Sequence, residues 1–168
     1  VSAPTTLAGL VLNDIGPRIE RPEMHRLLSI LGVDAPQPDW DAALGALRAM
    51  FPSLAFRDDA TWMTMARNTY RRGDDGRLHF DWDVRLARPL LRGSRPEPDL
   101  WRLYGALRHI PALALRGENS PMLSPECFDR MAQLKPDLAR VTVAGTGHAP
   151  ALDEPEAQAA IDDFLHRL

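Results

Sequence analysis

Apolar residues follow two different spacings along this chain. Three short stretches, at about residues 8–13, 112–117 and 140–144, are nearly continuous apolar runs that end at turn residues. Such runs predict strands that are buried on both faces, as in a parallel sheet. Elsewhere apolar residues recur every three or four positions, which predicts amphipathic helices. The resulting order of strand, helices, strand, helix, strand and helix predicts an α/β fold with right-handed crossovers.

The same pattern divides the chain into three parts. Residues 1–19 hold a first core strand and its turn, residues 20–109 form a long helical insert, and residues 110–168 return to the core with two strands and two helices. Polar residues followed by proline mark helix starts. For the last helix we expect Asp153 at the N-cap and Pro155 in the first turn.

Composition narrows the class of protein. The chain of 168 residues is 45% apolar and 26% charged, which is ordinary for a soluble globular domain. A formal charge of −3 without a block of like charges argues against a nucleic-acid or membrane surface. No apolar run approaches the ~18 residues of a membrane span. Cys127 is the single cysteine, so we expect a buried structural thiol, a reducing compartment and a cytoplasmic location.

The third predicted strand leads directly into a candidate catalytic residue. Gly145-Thr146-Gly147-His148 follows the β-branched run, and a helix-start signal lies just behind it. Glycines allow the backbone to bend sharply, so the imidazole is expected to stand at the tip of the strand. Enzymes of the α/β class commonly hold a general base in such a loop.

Three stretches carry a resemblance to a known family. They are residues 10–17, residues 111–120, and residues 145–155 with its Gly-x-Gly-His turn. Together they resemble the C-terminal half of an α/β-hydrolase-fold enzyme, and the insert resembles the cap of that family. The resemblance implies a partial α/β-hydrolase fold with three parallel strands, and a serine-hydrolase triad in which His148 is the general base. It places the other strands of the family before Val1.

The remaining members of the triad are irregular. No G-x-S-x-G occurs in the sequence, so the resemblance implies that the nucleophile elbow and the oxyanion hole are absent from this chain. The family usually has an aspartate just after the strand at residues 112–117, where this sequence has Ser120 and Pro121. Glu118 and Asp14 are equal candidates for the acid. Without an acid the imidazolium is not stabilised, and catalysis falls by orders of magnitude.

Four large side chains are candidates for a substrate pocket: Trp62, Met65, Trp82 and Trp101. They could line an apolar pocket beneath a cap, or they could pack as the core between helices. The sequence leaves both interpretations open.

A metal site is a weaker possibility. His79, Asp81 and Asp83 alternate, which would place them on one face of a strand. Three such side chains could bind a divalent cation, but no fourth ligand accompanies them, so a solvated face is favoured. We expect no metal and no other cofactor.

Two functions remain open. In the first, the chain is the C-terminal portion of a hydrolase for an ester-like or other small apolar acyl substrate, and it is inactive by itself. In the second, it is a non-catalytic remnant or interaction module that retains the fold. In either case the strand at residues 8–13 is expected to present an open edge, which could pair with a complementing N-terminal half or with a second copy.

Overall fold

A computed structural model describes most of the chain as two compact units. One unit comprises Val1–Glu23 with Glu97–Leu168, and we call it the core unit; the other, Met24–Pro96, we call the helical insert. The structure describes residues 6–19, 21–54, 56, 58–91 and 99–168.

The helices and the three strands of the parallel sheet follow one another in the predicted order, and two further short strands lie within the insert. In sequence they are β1 (Leu10–Asn13), α1 (Arg21–Leu31), α2 (Trp40–Met50), α3 (Asp59–Thr69), β2 (Tyr70–Arg72), β3 (Leu78–Phe80), a 3₁₀ turn (Val84–Ala87), α4 (Arg88–Leu91), α5 (Leu100–Gly105), β4 (Ala112–Gly117), α6 (Pro125–Leu134), β5 (Ala139–Val143) and α7 (Pro155–Leu165). None of the helices in the described residues is long and apolar enough to span a bilayer.

The core unit contains a parallel sheet in the order β1-β4-β5. Leu12 pairs with Ala114, and Leu115 pairs with Val141. This confirms the three predicted parallel strands, whose ends lie within two residues of the predicted ones. Every residue of β4 is buried, because the strand has a neighbour on both sides and side chains cover both faces of the sheet.

Alternate residues of β4 contribute to two separate apolar clusters. Ala112 and Ala114 point to the side that holds Phe128 and Met131 of α6. Leu113 and Leu115 point to the opposite side, where Val143, Ala157 and Phe164 complete the second cluster. The alternation follows from the two-residue period of a strand. Cys127 lies in the first cluster and is buried, as predicted.

Side chains cap most of the predicted helix starts. The carboxylates of Asp39 and Asp58 and the hydroxyl of Ser124 each accept a hydrogen bond from a backbone N–H in the first turn that follows. The prediction of Asp153 as the N-cap of α7 is wrong. Pro155 is the first helical residue, so the N-cap position falls to Glu154.

The helical insert has its own apolar core. It is formed mainly by side chains of α2 and α3 and of a small antiparallel hairpin, β2–β3. The sequence predicts only an exposed turn at residues 71–76, because Arg71 and Arg72 do not follow a strand pattern. In the hairpin Arg71 pairs with Asp81 at 3.0 Å, and Arg72 donates to the carbonyl of Gly76 at 2.6 Å.

The last helix before β4 belongs to the core unit. The hydrophobic pattern assigns α5 to the insert, but Tyr104 of α5 is buried in the first core cluster. Its hydroxyl donates a hydrogen bond to the carbonyl of Met131 at 3.1 Å. Burial raises the pKa of Tyr104 to about 12, so the phenol remains protonated and keeps this bond.

Candidate active site

Asp14 and His148 meet at the carboxyl end of the parallel sheet. Asp14 directly follows β1, and its N–H continues the ladder by donating to the carbonyl of Leu115 at 2.8 Å. Its backbone has φ +55°, a conformation that aspartate adopts more readily than most residues. His148 lies in the loop after β5, and its Nδ1 is 2.8 Å from Oδ2 of Asp14. An acid and a base that are far apart in sequence therefore form a pair.

The Asp14 carboxylate is fixed at both of its oxygens. The residue is 0% exposed. Oδ1 accepts a hydrogen bond from the N–H of Gly117 at 2.9 Å, while Oδ2 faces His148. A buried carboxylate is tolerated when its oxygens accept such bonds, and charge strengthens each bond. The carboxylate consequently cannot rotate without losing a partner.

The orientation of the His148 ring suits a general base. An ionised carboxylate only accepts hydrogen bonds, so the ring carries its proton on Nδ1 and donates it to Asp14. In the described part of the chain Nε2 has no hydrogen-bond partner, and the side chain is 33% exposed. Nε2 therefore has a free lone pair that is accessible for proton transfer.

Two glycines allow the close approach of this loop to the sheet. A Cβ atom on Gly117 would lie 2.2 Å from the carbonyl oxygen of Gly147. No side chain fits there, so the end of β4 and the turn before His148 can be in contact only with glycine at position 117. Gly145 has φ +66°, a conformation that other residues rarely adopt.

Glu118, the other candidate acid, contacts the backbone of the loop. Its Oε2 accepts a hydrogen bond from the N–H of Gly145 at 2.8 Å, and its own N–H donates to the carbonyl of Val143 at 2.9 Å. The residue is exposed. Of the two candidates, Asp14 is the one that the structure places against His148.

We refer to residues 144–154 as the histidine loop. Its second half is held by hydrogen bonds to two side chains, Asn13 and Glu154, for which the sequence had predicted no role. Asn13 Nδ2 donates to the carbonyl of Pro150 at 3.0 Å. Glu154 accepts hydrogen bonds from the N–H groups of Ala151 and Leu152, both at 2.9 Å. The position of Glu154 directly before a proline was a usable signal, because proline at the first helical position makes the preceding residue the N-cap.

The candidate pocket residues lie in the two units. In the helical insert, Trp62 is buried and Met65 packs against the same cluster. Trp82 stacks on Phe80 at 4.1 Å, and its Nε1 donates to a backbone carbonyl. Trp101 belongs to the core unit, where it packs against the first cluster. All four therefore contribute to hydrophobic packing, and a role in substrate binding stays a prediction.

The three alternating polar residues make separate contacts. His79 is hydrogen-bonded to Asp34 at 2.7 Å and to Asp75 at 3.0 Å. Asp81 and Asp83 each pair with a nearby arginine. Among the described residues, no group of three His, Cys, Asp or Glu side chains is arranged to bind a metal ion.

Comparison with known proteins identifies the class to which this fold and site correspond. The chain belongs to the alpha/beta hydrolase family, whose model matches residues 6–161. This confirms the family resemblance and the partial α/β-hydrolase fold.

Particular members of the family are similar over nearly the whole chain. A 3-hydroxybutyrate-oligomer hydrolase of Cupriavidus necator is 30% identical, and the match covers 90% of this chain and 54% of that protein. The crystal structure of an alpha/beta hydrolase from Novosphingobium aromaticivorans is 35% identical with a TM-score of 0.86, covering 99% of this chain and 59% of that one. The E-2-(acetamidomethylene)succinate hydrolase structure shares the fold, with a TM-score of 0.80 at 24% identity, over 98% of this chain and 60% of that one. The chain thus spans little more than half the length of these relatives.

Proposed function

We propose that this chain supplies the base and the acid of a serine-hydrolase triad, His148 and Asp14, for the hydrolysis of a small ester-like or other apolar acyl substrate. The nucleophile and the oxyanion hole would come from a part of the protein outside this sequence. The observation that carries the proposal is the buried, doubly bonded Asp14 carboxylate 2.8 Å from Nδ1 of His148, with Nε2 of the ring left free.

The geometry supports a conventional acyl transfer. A serine Oγ attacks the acyl carbonyl carbon while His148 Nε2 removes the hydroxyl proton, and Asp14 stabilises the imidazolium that forms. The imidazolium then gives its proton to the leaving group as the tetrahedral intermediate collapses to an acyl-enzyme. Water attacks this ester with His148 again acting as base, and the acid product and the free serine are released.

Support for the substrate class comes from the relatives. The Cupriavidus necator relative is a hydrolase of 3-hydroxybutyrate oligomers. The family provides acyl chemistry, whereas the identity of the acyl and leaving groups depends on pocket residues. Trp62, Met65 and Trp82 in the helical insert and, separately, Trp101 in the core unit are our candidates for contacts with an apolar substrate, in addition to their packing roles.

The open edge of the sheet supports docking of the complementing segment. In the part of the chain that the structure describes, β1 pairs with β4 alone. Val11 within β1 is 37% exposed, and Leu7 and Ile15 on either side of the strand are 40% and 47% exposed. An unpaired apolar edge is a template for a further strand. We propose that an N-terminal half carrying the nucleophile pairs there.

The experiment measures hydrolysis of p-nitrophenyl esters by this chain alone and after mixing with a separately expressed N-terminal half that carries a G-x-S-x-G. We expect no turnover from the chain alone and measurable turnover from the mixture. A His148→Ala chain should bind the other half equally well but give no turnover, because only the base is missing.

Two outcomes would contradict the proposal. Turnover by the isolated chain that is lost in His148→Ala would show that the chain does not need another nucleophile-bearing half. A stable complex without turnover would favour the alternative, a non-catalytic interaction module that retains the fold and its pairing edge. Self-association through β1 would appear in the same experiment as a dimer that the N-terminal half displaces.

A further inference from the structure

Glu154 occupies an unusual environment for a carboxylate. It is 8% exposed and precedes the first residue of α7. Its two oxygens accept hydrogen bonds from two consecutive N–H groups, Oε1 from Ala151 and Oε2 from Leu152, both at 2.9 Å. Hydrogen bonds to a charged acceptor are shorter and stronger than neutral ones, so one side chain fixes two adjacent peptide groups.

The backbone that Glu154 fixes would otherwise be unfavourable. Leu152 has φ +67°, which a bulky residue without a stabilising contact rarely adopts. Its N–H is one of the two groups that Glu154 binds. The negative charge also lies at the positive end of the α7 dipole, where it is favoured. Glu154 therefore ties an otherwise unfavourable turn to the start of a helix.

This turn lies directly behind the base. Only Ala149 and Pro150 separate His148 from Ala151, the first residue bound by Glu154. On the other side of His148, Glu118 holds Gly145 and the Gly117–Gly147 contact limits movement toward the sheet. The two halves of the histidine loop thus have separate attachments. On the C-terminal side Asn13 binds the carbonyl of Pro150, and Glu154 binds the N–H groups of Ala151 and Leu152.

We infer that Glu154 is a positioning residue for His148, which keeps the imidazole Nδ1 within hydrogen-bond distance of Asp14 by holding the turn at Ala151 and Leu152. The inference deepens the proposed function, because it assumes that the Asp14–His148 pair is the functional one. A displacement of about 1 Å in a catalytic group can lower a rate on the order of 10²-fold. Even a small shift of the backbone at this turn would therefore be expected to lower the rate.

The test separates positioning from stability with Glu154→Asp. Aspartate keeps the charge and is a preferred N-cap residue, so α7 should be at least as stable. Its side chain is one methylene shorter and cannot reach both N–H groups. The readout is the ¹⁵N NMR signature of the His148 ring in the full chain, at a pH where imidazole is neutral. It distinguishes the Nδ1–H tautomer from the Nε2–H tautomer.

We expect the wild-type chain to show His148 with its proton on Nδ1, and Asp14→Asn to lose that signature. Glu154→Asp should shift His148 toward a mixture of tautomers while the melting temperature is retained. The matched control is Glu126→Asp, an exposed residue in the first turn of α6, and it should change neither property. Glu154→Gln, which has the original length but a single acceptor oxygen, is the second variant and should give a partial shift.

The possible failures are distinguishable. An unchanged His148 signature in both folded Glu154 variants would overturn the inference and leave the Asp14–His148 pair intact. A wild-type chain without the Nδ1–H tautomer would overturn the pair itself and, with it, the proposed function.

Discussion

Asp14 has the properties that a fixed partner of a histidine base requires. It is buried, its Oδ1 is held by the Gly117 N–H, and its Oδ2 faces His148 at 2.8 Å. Each oxygen therefore has one defined partner. Glu118 is exposed, and its carboxylate holds the Gly145 N–H, so it can affect the base only through the loop. The two carboxylates consequently have different predicted effects.

The first prediction compares substitutions of Asp14 and Glu118 in the chain mixed with its proposed N-terminal half. Asp14→Asn keeps the shape of the side chain but should leave His148 in the wrong tautomer, so kcat is expected to fall about 10⁴-fold. Glu118→Gln removes the charge but keeps an oxygen that can accept from the Gly145 N–H, so it should have a far smaller effect. Steady-state hydrolysis of p-nitrophenyl esters measures both. The reverse order of effects would make Glu118 the acid.

The second prediction concerns Gly117. Its Cβ would collide with the backbone oxygen of Gly147 at 2.2 Å, and a backbone atom cannot move aside by changing rotamer. Gly117→Ala should therefore destabilise the chain by about 1–3 kcal/mol. Urea denaturation provides the measurement. Gly105→Ala, where a Cβ meets nothing within 4 Å, is the control, and it should be neutral or stabilising by up to ~1 kcal/mol.

At the level of elements, His79 joins three segments of the helical insert. Its Nδ1 contacts Asp34 after α1, and its Nε2 contacts Asp75 in the hairpin turn. Asp34 also accepts a hydrogen bond from the N–H of Phe80 at 3.2 Å. Arg71 is the cross-strand partner of His79. The bonds to Asp34 and then to Asp75 raise the pKa of His79 above its usual 6.5.

The third prediction is a pH dependence of this contact. The pKa of His79 is higher in the folded protein than in the unfolded chain, so protonated His79 stabilises the fold through Asp34 and Asp75. This stabilisation is fully present below pH 6.5 and is lost as the pH rises through the pKa of His79 in the folded protein. The amides of the β2–β3 hairpin should therefore exchange with solvent more readily above that pKa, after correction for the intrinsic pH effect. Hydrogen exchange measures this, and a His79→Gln chain should lack the transition. An identical transition in that variant would assign it to another group.

The strands and helix starts differ in how well the local sequence predicts them. The three core strands could be predicted, because parallel strands buried on both faces are continuous apolar runs. The hairpin was predicted only in part, because the alternation after Leu78 favours a strand but two consecutive arginines do not. Arg71 and Arg72 are held in β2 by polar contacts within the hairpin, to Asp81 and to the carbonyl of Gly76. Glu154 at the start of α7 was missed although Pro155 indicated it. Its backward bonds to Ala151 and Leu152 depend on a turn that no local propensity specifies.

At the level of the whole molecule, the sequence could not decide whether Asp14 or Glu118 pairs with His148. The carboxylate that contacts His148 is determined by where two distant segments meet, and both candidates lie at the ends of neighbouring strands. The deciding features are the positive φ of Asp14 and the N–H of Gly117, which exist only in the assembled sheet. The loop position of His148 after the third strand could be predicted because its glycine turn is local; its role as a base stays a prediction.

The fourth prediction tests the open edge of β1. Leu10 and Asp14 donate their N–H groups toward β4, so by alternation the N–H of Val11 points to the open side. Val11→Pro should leave the bonds to β4 intact and weaken binding of an N-terminal half, because proline removes the outward donor. Val11→Ala keeps the donor and is the control for loss of the side chain. Calorimetric titration measures both, and equal affinities would argue against pairing along this edge.

Asp14 and His148 are separated by 134 residues, and Asn13 and Pro150 by 137. Contacts between such distant positions are closed late, since the chain entropy of a long loop must be overcome before the contact stabilises anything. β4 must also join both of its neighbours first, because it lies between them. We therefore expect the base to acquire its partner only near the end of folding. The state of a single imidazole would then report whether the entire sheet has formed.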